Sequence, residues 1–219
     1  MSMFRVTLLF LLICPTSLLP ENAILIIDKK LTTSLQGDNS SPALDYTIEG
    51  FSLATPFIEL GWSGGQWLLD RNSYNYNSTV MALTSIITDQ ILVTILKFTI
   101  NRDRPKMQQY NPRLLNTRMT PSLPSGHAST SAAFSTVIAN RYPKLTIPLT
   151  IYTIMSAYSQ IYVGNHYVSD VVIGIVVGTL VGKLTLLSER QITGAVSHSS
   201  PQKQQPFLLT LSIPINSKK

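Results

Sequence analysis

Five apolar segments, each long enough for a helix but diluted by small or polar residues, most constrain the fold of this chain. They cover residues 50–69, 79–96, 124–140, 147–163 and 168–187. Only 13% of the 219 residues are charged, about half the usual share of a soluble domain. Composition therefore leaves a membrane protein with short, impure spans or an unusually apolar secreted domain.

Small residues in two of these segments predict close helix packing. Gly174, Gly178 and Gly182 recur at four-residue spacing, which on a helix aligns them as one groove for a neighbouring backbone. The segment 127–139 is rich in Ala, Ser and Thr. Polar residues in the middle of 79–96 are costly in lipid, so we expect Asp89 and Gln90 to face the bundle.

The ends of the chain differ from its middle. Residues 1–23 carry a short apolar run and predict a signal peptide or an N-terminal anchor helix. Residues 24–190 form the predicted domain, in which 24–49 indicates a short helix and a loop. Residues 191–219 indicate a polar C-terminal tail with room for one strand.

Positive charge is concentrated in one stretch. The formal net charge is +6, and residues 97–118 carry six cations against one acid, Asp103. Few aromatic residues interleave these cations, which disfavours nucleic-acid binding. A single cysteine, Cys14, excludes a disulfide scaffold. The stretch therefore predicts an anion site, with the cations Lys97, Arg102, Arg104, Lys106, Arg113 and Arg118.

Three clusters contain residue types suited to catalysis or ligand binding, and the first is the segment from Lys97 to Pro105. Lys97 and Arg104 are seven residues apart, or two helical turns, which predicts that they share one face of a helix. Pro105 disfavours helical backbone at the preceding residue, so we expect the helix to end at Arg104. Both cations would then lie at the mouth of the bundle.

The second cluster is Pro124-Ser125-Gly126-His127, at the start of a small-residue helix. Ser125 is a candidate N-cap. The backbone N–H groups of Gly126 and His127 would point toward an anion bound there, and glycine lets a ligand approach the backbone closely.

The third cluster contains His166 and Asp170, four residues apart. On a helix, the carboxylate can accept the proton of one ring nitrogen, which leaves the other nitrogen available as a nucleophile or base. A metal site fits these residues poorly, because acids are scarce and neighbouring cations would repel a metal ion. We therefore expect a phosphate ligand, with no metal and no cofactor.

Together the three clusters resemble the signature of the type 2 phosphatidic acid phosphatase (PAP2) superfamily, K-x6-R-P, P-S-G-H and S-R-x5-H-x3-D. The first two blocks match in full, and Ser159, His166 and Asp170 match the third. Gln160 stands where the family has arginine. The resemblance runs from Lys97 to Asp170 and through the glycine-rich segment to about Leu187.

The resemblance implies an all-α, membrane-embedded bundle of about six helices, of the kind shared with haloperoxidases. It implies metal-independent hydrolysis of a lipid phosphate or isoprenoid diphosphate through a phosphohistidine intermediate. His166 would attack phosphorus, Asp170 would orient it, and His127 would protonate the leaving oxygen. The phosphate oxygens would be held by Lys97, Arg104, Ser125, Gly126 and Gln160.

Two alternatives remain open at this point. A soluble periplasmic acid phosphatase belongs to another branch of the same superfamily. The loss of a cation at Gln160 is also compatible with a weakened enzyme or a pseudoenzyme that binds phosphorylated lipid, unless Arg113 or Arg118 folds back as a substitute.

The charges of the connecting segments predict an orientation. If the mature N-terminus lies outside, the three clusters meet on the outer face of a bacterial inner membrane, toward the periplasm. The opposite segments would then hold the cations that favour the cytoplasmic side, namely Arg71, Arg141, Lys144, Arg190 and Lys203.

Overall fold

The computed structural model describes residues 21–69, 71–106, 110–114 and 120–199. These residues form seven α-helices and no strand, which confirms the all-α prediction. The predicted signal peptide or anchor and the last twenty residues of the tail lie outside the described ranges, except for residues 21–23. The helices are α1 Glu21–Leu35, α2 Pro42–Leu69, α3 Ser73–Ile100, α4 Gly126–Arg141, α5 Thr146–Tyr162, α6 Val168–Leu187 and α7 Glu189–Ser199, with a 3₁₀ turn at Pro143–Leu145 before α5.

The centre of the bundle is the contact between α4 and α6. Almost every side chain from Ala128 to Ile138 is buried. A Cβ atom on Gly174 would lie 2.6 Å from the carbonyl oxygen of Ser125, and one on Gly178 would overlap the carbonyl oxygen of Ser129. The predicted glycine groove is therefore confirmed, and α4 is the helix that fills it.

The polarity of α2 is inverted relative to a soluble protein. Its buried residues recur every three or four positions and are all polar, whereas Phe57 is 75% exposed. Large apolar side chains are also exposed along α3, α5 and α6. A polar interior with an apolar exterior suits helices surrounded by lipid. The buried stripe comprises Asp45, Glu49, Ser52, Thr55, Glu59 and Ser63.

Among the described residues, two helices are long and apolar enough to cross a membrane by length and composition, α3 and α6. The 28 residues of α3 extend over about 42 Å at 1.5 Å per residue, beyond the roughly 30 Å of a bilayer core. Asp89 of α3 is fully buried and accepts hydrogen bonds from Ser129 and Thr130 of α4. The prediction that Asp89 and Gln90 face the bundle is confirmed, since the side-chain amide of Gln90 donates to the hydroxyl of Thr130 on α4.

Several predicted helix boundaries are wrong. Helix α2 begins at Pro42, eight residues before the apolar segment, because its first turns bury acids rather than apolar side chains. Helix α3 ends at Ile100, since Asn101 adopts a left-handed conformation with φ of 50°, which asparagine tolerates. Lys97 and Arg104 therefore do not share a helical face. Residues 189–199 form α7, where a polar tail was expected.

The two ends of the bundle carry different groups. The three clusters lie together at one end. At the other end, the guanidinium of Arg141 pairs with Glu189 and stacks over the ring of Tyr74 at 4.3 Å. The cations that the orientation argument placed inside, Arg71, Arg141, Lys144 and Arg190, occupy the connections at this second end.

A substitution at Gly178 tests the central helix contact. We expect Gly178→Ala to lower the free energy of unfolding by about 1–3 kcal/mol, because the new methyl group overlaps the α4 backbone. The control is Gly61→Ala on α2, where nothing lies within 4 Å of the added Cβ and alanine should stabilise the helix by up to about 1 kcal/mol. Unfolding in detergent measures both, and equal effects of the two substitutions would contradict the packing.

Candidate active site

A cavity of about 370 Å³ lies between α2, α3 and α4 at the end where the three clusters meet. Its mouth is polar and cationic, with Lys97, Arg104, His127 and His166 in the wall. Deeper in the bundle, the wall mixes apolar and polar side chains. The deeper residues include Pro56, Leu60, Ile86 and Val93, together with Glu59 and Gln90.

His166 lies in the connection just before α6, and only 2% of its surface is exposed. A guanidinium nitrogen of Arg104 lies 3.3 Å from Nε2. Because guanidinium only donates hydrogen bonds, Nε2 must be the acceptor and Nδ1 must carry the proton. The geometry therefore requires the tautomer in which Nε2, the nitrogen toward the cavity, carries no proton.

The pKa of His166 is lowered from its ordinary value of 6.5 to about 4. Burial is the main cause, and the positive charges of Arg104 and Lys97 act in the same direction, whereas Asp170 opposes them. The imidazole is therefore neutral at pH 7, the state in which a ring nitrogen can act as a nucleophile.

Asp170 occupies the third position of α6, and His166 precedes the helix rather than lying on it. One carboxylate oxygen, Oδ2, accepts the backbone N–H of Tyr167 at 2.9 Å. The same oxygen lies 3.7 Å from Nδ1 of His166, beyond hydrogen-bond range. The two residues lie close together, as predicted. They do not share one face of a helix, however, because Asp170 caps the start of α6 and His166 lies before it.

Lys97 and Arg104 converge on the cavity from different elements. Lys97 lies on the last turn of α3, and its Nζ donates to the carbonyl oxygens of Pro121 and Ser122 at 2.8 and 3.2 Å. Arg104 lies in the following connection and donates to the carbonyl oxygen of Asn165 at 2.6 Å. The prediction that Lys97 and Arg104 meet at the mouth of the bundle is confirmed. The loop after α3 brings them together, instead of a shared helical face.

Ser125 and Gly126 begin α4, as predicted. The Ser125 hydroxyl does not cap the helix; it is buried and has no hydrogen-bond partner within the described part of the chain. A Cβ atom on Gly126 would lie 3.8 Å from Val93, which is an ordinary contact, so it would take up cavity space instead of clashing. Ser125 is fully buried and is not among the residues that line the cavity, whereas Gly126 is.

Gln160 is fully buried and is not among the residues that line the cavity. Its amide nitrogen donates to the hydroxyl of Ser52 at 2.6 Å, and its amide oxygen accepts from the side chain of Asn165 at 3.3 Å. Its backbone carbonyl accepts the N–H groups of Asn165 and His166. Gln160 therefore supports the turn that carries His166, and it does so from outside the cavity lining.

Of the two proposed substitute cations, Arg113 is not among the residues that line the cavity. Arg113 pairs with Asp45 of α2 at 2.9 Å, and Arg118 lies outside the described ranges. Sequence reasoning missed this role of α2, whose Glu49 also accepts from Tyr110 and from two backbone N–H groups. Two acids four residues apart, Asp45 and Glu49, were the available signal.

No group of three or more His, Cys, Asp or Glu side chains that could hold a metal ion occurs within residues 21–69, 71–106, 110–114 and 120–199.

The PAP2 superfamily model matches residues 78–193, just over half of the chain. The chain belongs to the PAP2 superfamily. It is 29% identical over 110 residues to a lipid A 1-phosphatase of Rhizobium etli, which covers 48% of this chain and 47% of that protein. It is 28% identical over 120 residues to undecaprenyl-diphosphatase BcrC of Bacillus subtilis, with coverage of 54% and 61%. This PAP2 chain thus matches about half the length of the curated relatives.

A solved structure supports the same fold. The transmembrane PAP2-type phosphatidylglycerolphosphate phosphatase of Bacillus subtilis superposes with a TM-score of 0.66 at 20% identity. The superposition covers 86% of this chain and 96% of that one.

The protonation of His166 can be measured directly. We expect its imidazole to titrate near pH 4 in an NMR titration, with His166→Gln identifying the resonance. Because the folded-state pKa lies below the ordinary value of 6.5, the neutral ring contributes stability above pH 6.5 that is lost as the pH falls toward 4. A midpoint between pH 6 and 7 would contradict the buried, cation-flanked environment.

Proposed function

We propose that this protein is a membrane phosphatase that removes phosphate from a lipid phosphate or an isoprenoid diphosphate through a phosphohistidine intermediate. The observation that carries the proposal is the bare Nε2 of neutral His166 beside Arg104, at the cationic mouth of a cavity whose deeper wall includes apolar side chains. No metal or cofactor takes part in this mechanism.

In the first step, the lone pair on Nε2 of His166 attacks phosphorus, and the bond from phosphorus to the leaving oxygen breaks. His127, protonated before the reaction, transfers its proton to that oxygen. The ring of His166 then carries positive charge, and Asp170 stabilises it from the Nδ1 side.

In the second step, water attacks the phosphohistidine in line with the nitrogen. His127 accepts the proton of the water, and the phosphorus–nitrogen bond breaks. Inorganic phosphate leaves, and both histidines return to their starting states.

Charge stabilisation accounts for the remaining site residues. The transferred phosphoryl group spreads negative charge over three equatorial oxygens. Lys97 and Arg104 supply positive charge, and the Ser125 hydroxyl and the Gly126 N–H supply donors. Gln160 lies behind this set, so we propose that it contributes by holding the His166 turn.

The membrane lipid class is supported by the molecule's surface as well as its cavity. The exposed apolar side chains on α2, α3, α5 and α6 favour an embedded enzyme over a soluble periplasmic one. Cations at the opposite end of the bundle favour an active site that faces the periplasm. The curated relatives are named for lipid A and undecaprenyl diphosphate, which supports a lipid-linked phosphate as substrate.

Trapping of the phosphoenzyme tests this proposal. With ³²P-labelled lipid phosphate in the presence of EDTA, we expect acid-labile label on the wild type and loss of at least about 10⁴-fold of turnover in His166→Gln. Asp170→Asn should keep residual turnover, since it removes only the orienting group. The control is His198→Gln, which alters the third histidine of the chain. His198 lies in α7, and this variant should turn over like the wild type.

The outcomes separate the alternatives. Label on another residue, or turnover of His166→Gln at the wild-type rate, would contradict the nucleophile. Activity that disappears in EDTA and returns with a divalent ion would contradict the metal-free mechanism. Binding of the lipid phosphate without turnover by the wild type would identify a pseudoenzyme.

A further inference from the structure

We infer that Arg102, together with Asp28 of α1, is a positioning residue that holds the Asp170 carboxylate in register with His166. The sequence marked Arg102 only as one cation of the basic stretch, and neither residue has a place in the mechanism above. The inference rests on the proposed role of His166 as nucleophile.

The guanidinium of Arg102 is fixed on several sides. Nη1 donates to Oδ1 of Asp170 at 2.5 Å, and Nη2 donates to Oδ2 of Asp28 at 2.7 Å. Nη1 also donates to the hydroxyl of Ser169 at 2.7 Å. The guanidinium carbon lies 4.2 Å from the centre of the Tyr167 ring. A planar, two-sided fork of this kind cannot be replaced by the single ammonium of lysine without loss of geometry.

This arrangement immobilises the carboxylate that faces the nucleophile. Arg102 holds Oδ1, and the N–H of Tyr167 holds Oδ2. With both oxygens held, the carboxylate cannot rotate about its bond to Cβ. Oδ2 therefore stays 3.7 Å from Nδ1 of His166, from where a small shift of the ring completes the hydrogen bond when phosphate binds.

Helix α1 is docked onto the site through the same group. Asp28 accepts the backbone N–H of Ser169 at 3.0 Å and also its hydroxyl, and Thr32 accepts the N–H of Val168 at 3.1 Å. Asp28 and Thr32 are buried, whereas the residues that precede them, Ile27 and Leu31, are exposed. The buried, polar face of α1 thus packs against the first turn of α6 and supports it.

The charges of this group match the chemistry of the intermediate. Asp28 and Asp170 together carry one more negative charge than Arg102 neutralises. The excess lies beside a ring that becomes positive only when His166 bonds to phosphorus. Arg102 therefore allows two buried acids to coexist while it leaves enough negative charge to stabilise the imidazolium.

Removal of Arg102 should change the acid limb of the pH–rate profile. Arg104, Lys97 of α3 and Asp170 act on the charge of His166. Two further titratable groups, Glu59 of α2 and His127 of α4, line the same cavity. With these unchanged, loss of the Arg102 cation makes protonation of the His166–Asp170 pair easier. We expect Arg102→Gln to move the acid limb of kcat/KM to higher pH and to lower kcat by about tenfold to a hundredfold.

Two further variants and a control separate positioning from general stability. Arg102→Lys should recover part of kcat, and Asp28→Asn should shift the acid limb less than Arg102→Gln does. Arg113→Gln breaks an ion pair between a more exposed guanidinium and a buried acid, Asp45, on the same end of the bundle. Its acid limb should stay at the wild-type pH.

A double-mutant cycle with Asp170→Asn gives the decisive comparison. If Arg102 acts through Asp170, adding Arg102→Gln to Asp170→Asn should lower kcat by less than threefold. The inference would be overturned if the losses of kcat in the two single variants multiplied in the double variant. It would also be overturned if the acid limb stayed at the wild-type pH in both Arg102→Gln and Asp28→Asn. If the wild type itself has no turnover, the proposed function fails; an active wild type with unmoved limbs contradicts the role of Arg102 alone.

Discussion

The close approach of α4 and α6 is the contact on which the site depends. Three glycines on α6 remove the side chains that would otherwise keep the two backbones apart. The first residues of both helices are then joined directly, because the N–H of Ser125 donates to the carbonyl oxygen of Asp170 at 3.0 Å. One helix start carries His127 and the other carries Asp170 beside His166. A single packing interface therefore sets the distance between the acid and the nucleophile.

The inverted polarity of α2 supports the other half of the site. Burial of Asp45 and Glu49 would be costly without partners. Tyr162 of α5 donates to Asp45, and further partners belong to the segment that follows Arg104. Arg113 pairs with Asp45, while the backbone of Arg113 and Leu114 donates to Glu49. These contacts fasten the cationic connection over the bundle. The same requirement, that buried charge be paired, explains the group formed by Asp28, Arg102 and Asp170.

Residue type and spacing predicted which residues come together better than they predicted the local geometry. The glycine groove of α6 and the burial of Asp89 follow from residue type and period, whereas the meeting of Lys97 with Arg104 comes from the fold of the loop after α3. The end of α3 could not be predicted, because it depends on a left-handed backbone at Asn101. Neither could the position of His166 outside α6, which follows from capping by Asp170. Gln160 stands where the motif has arginine, yet its side chain bonds to Ser52 on α2, a contact 108 residues away in sequence.

The central claim is that Nε2 of His166 bonds to phosphorus while Lys97 and Arg104 hold the equatorial oxygens. A structure of the protein with vanadate, which mimics phosphate in the transition state of transfer, tests this claim most directly. The account predicts a vanadium–nitrogen bond to His166 Nε2, with His127 beside the opposite, apical oxygen. Vanadate bonded to a different side chain, or held through a metal ion, would contradict it.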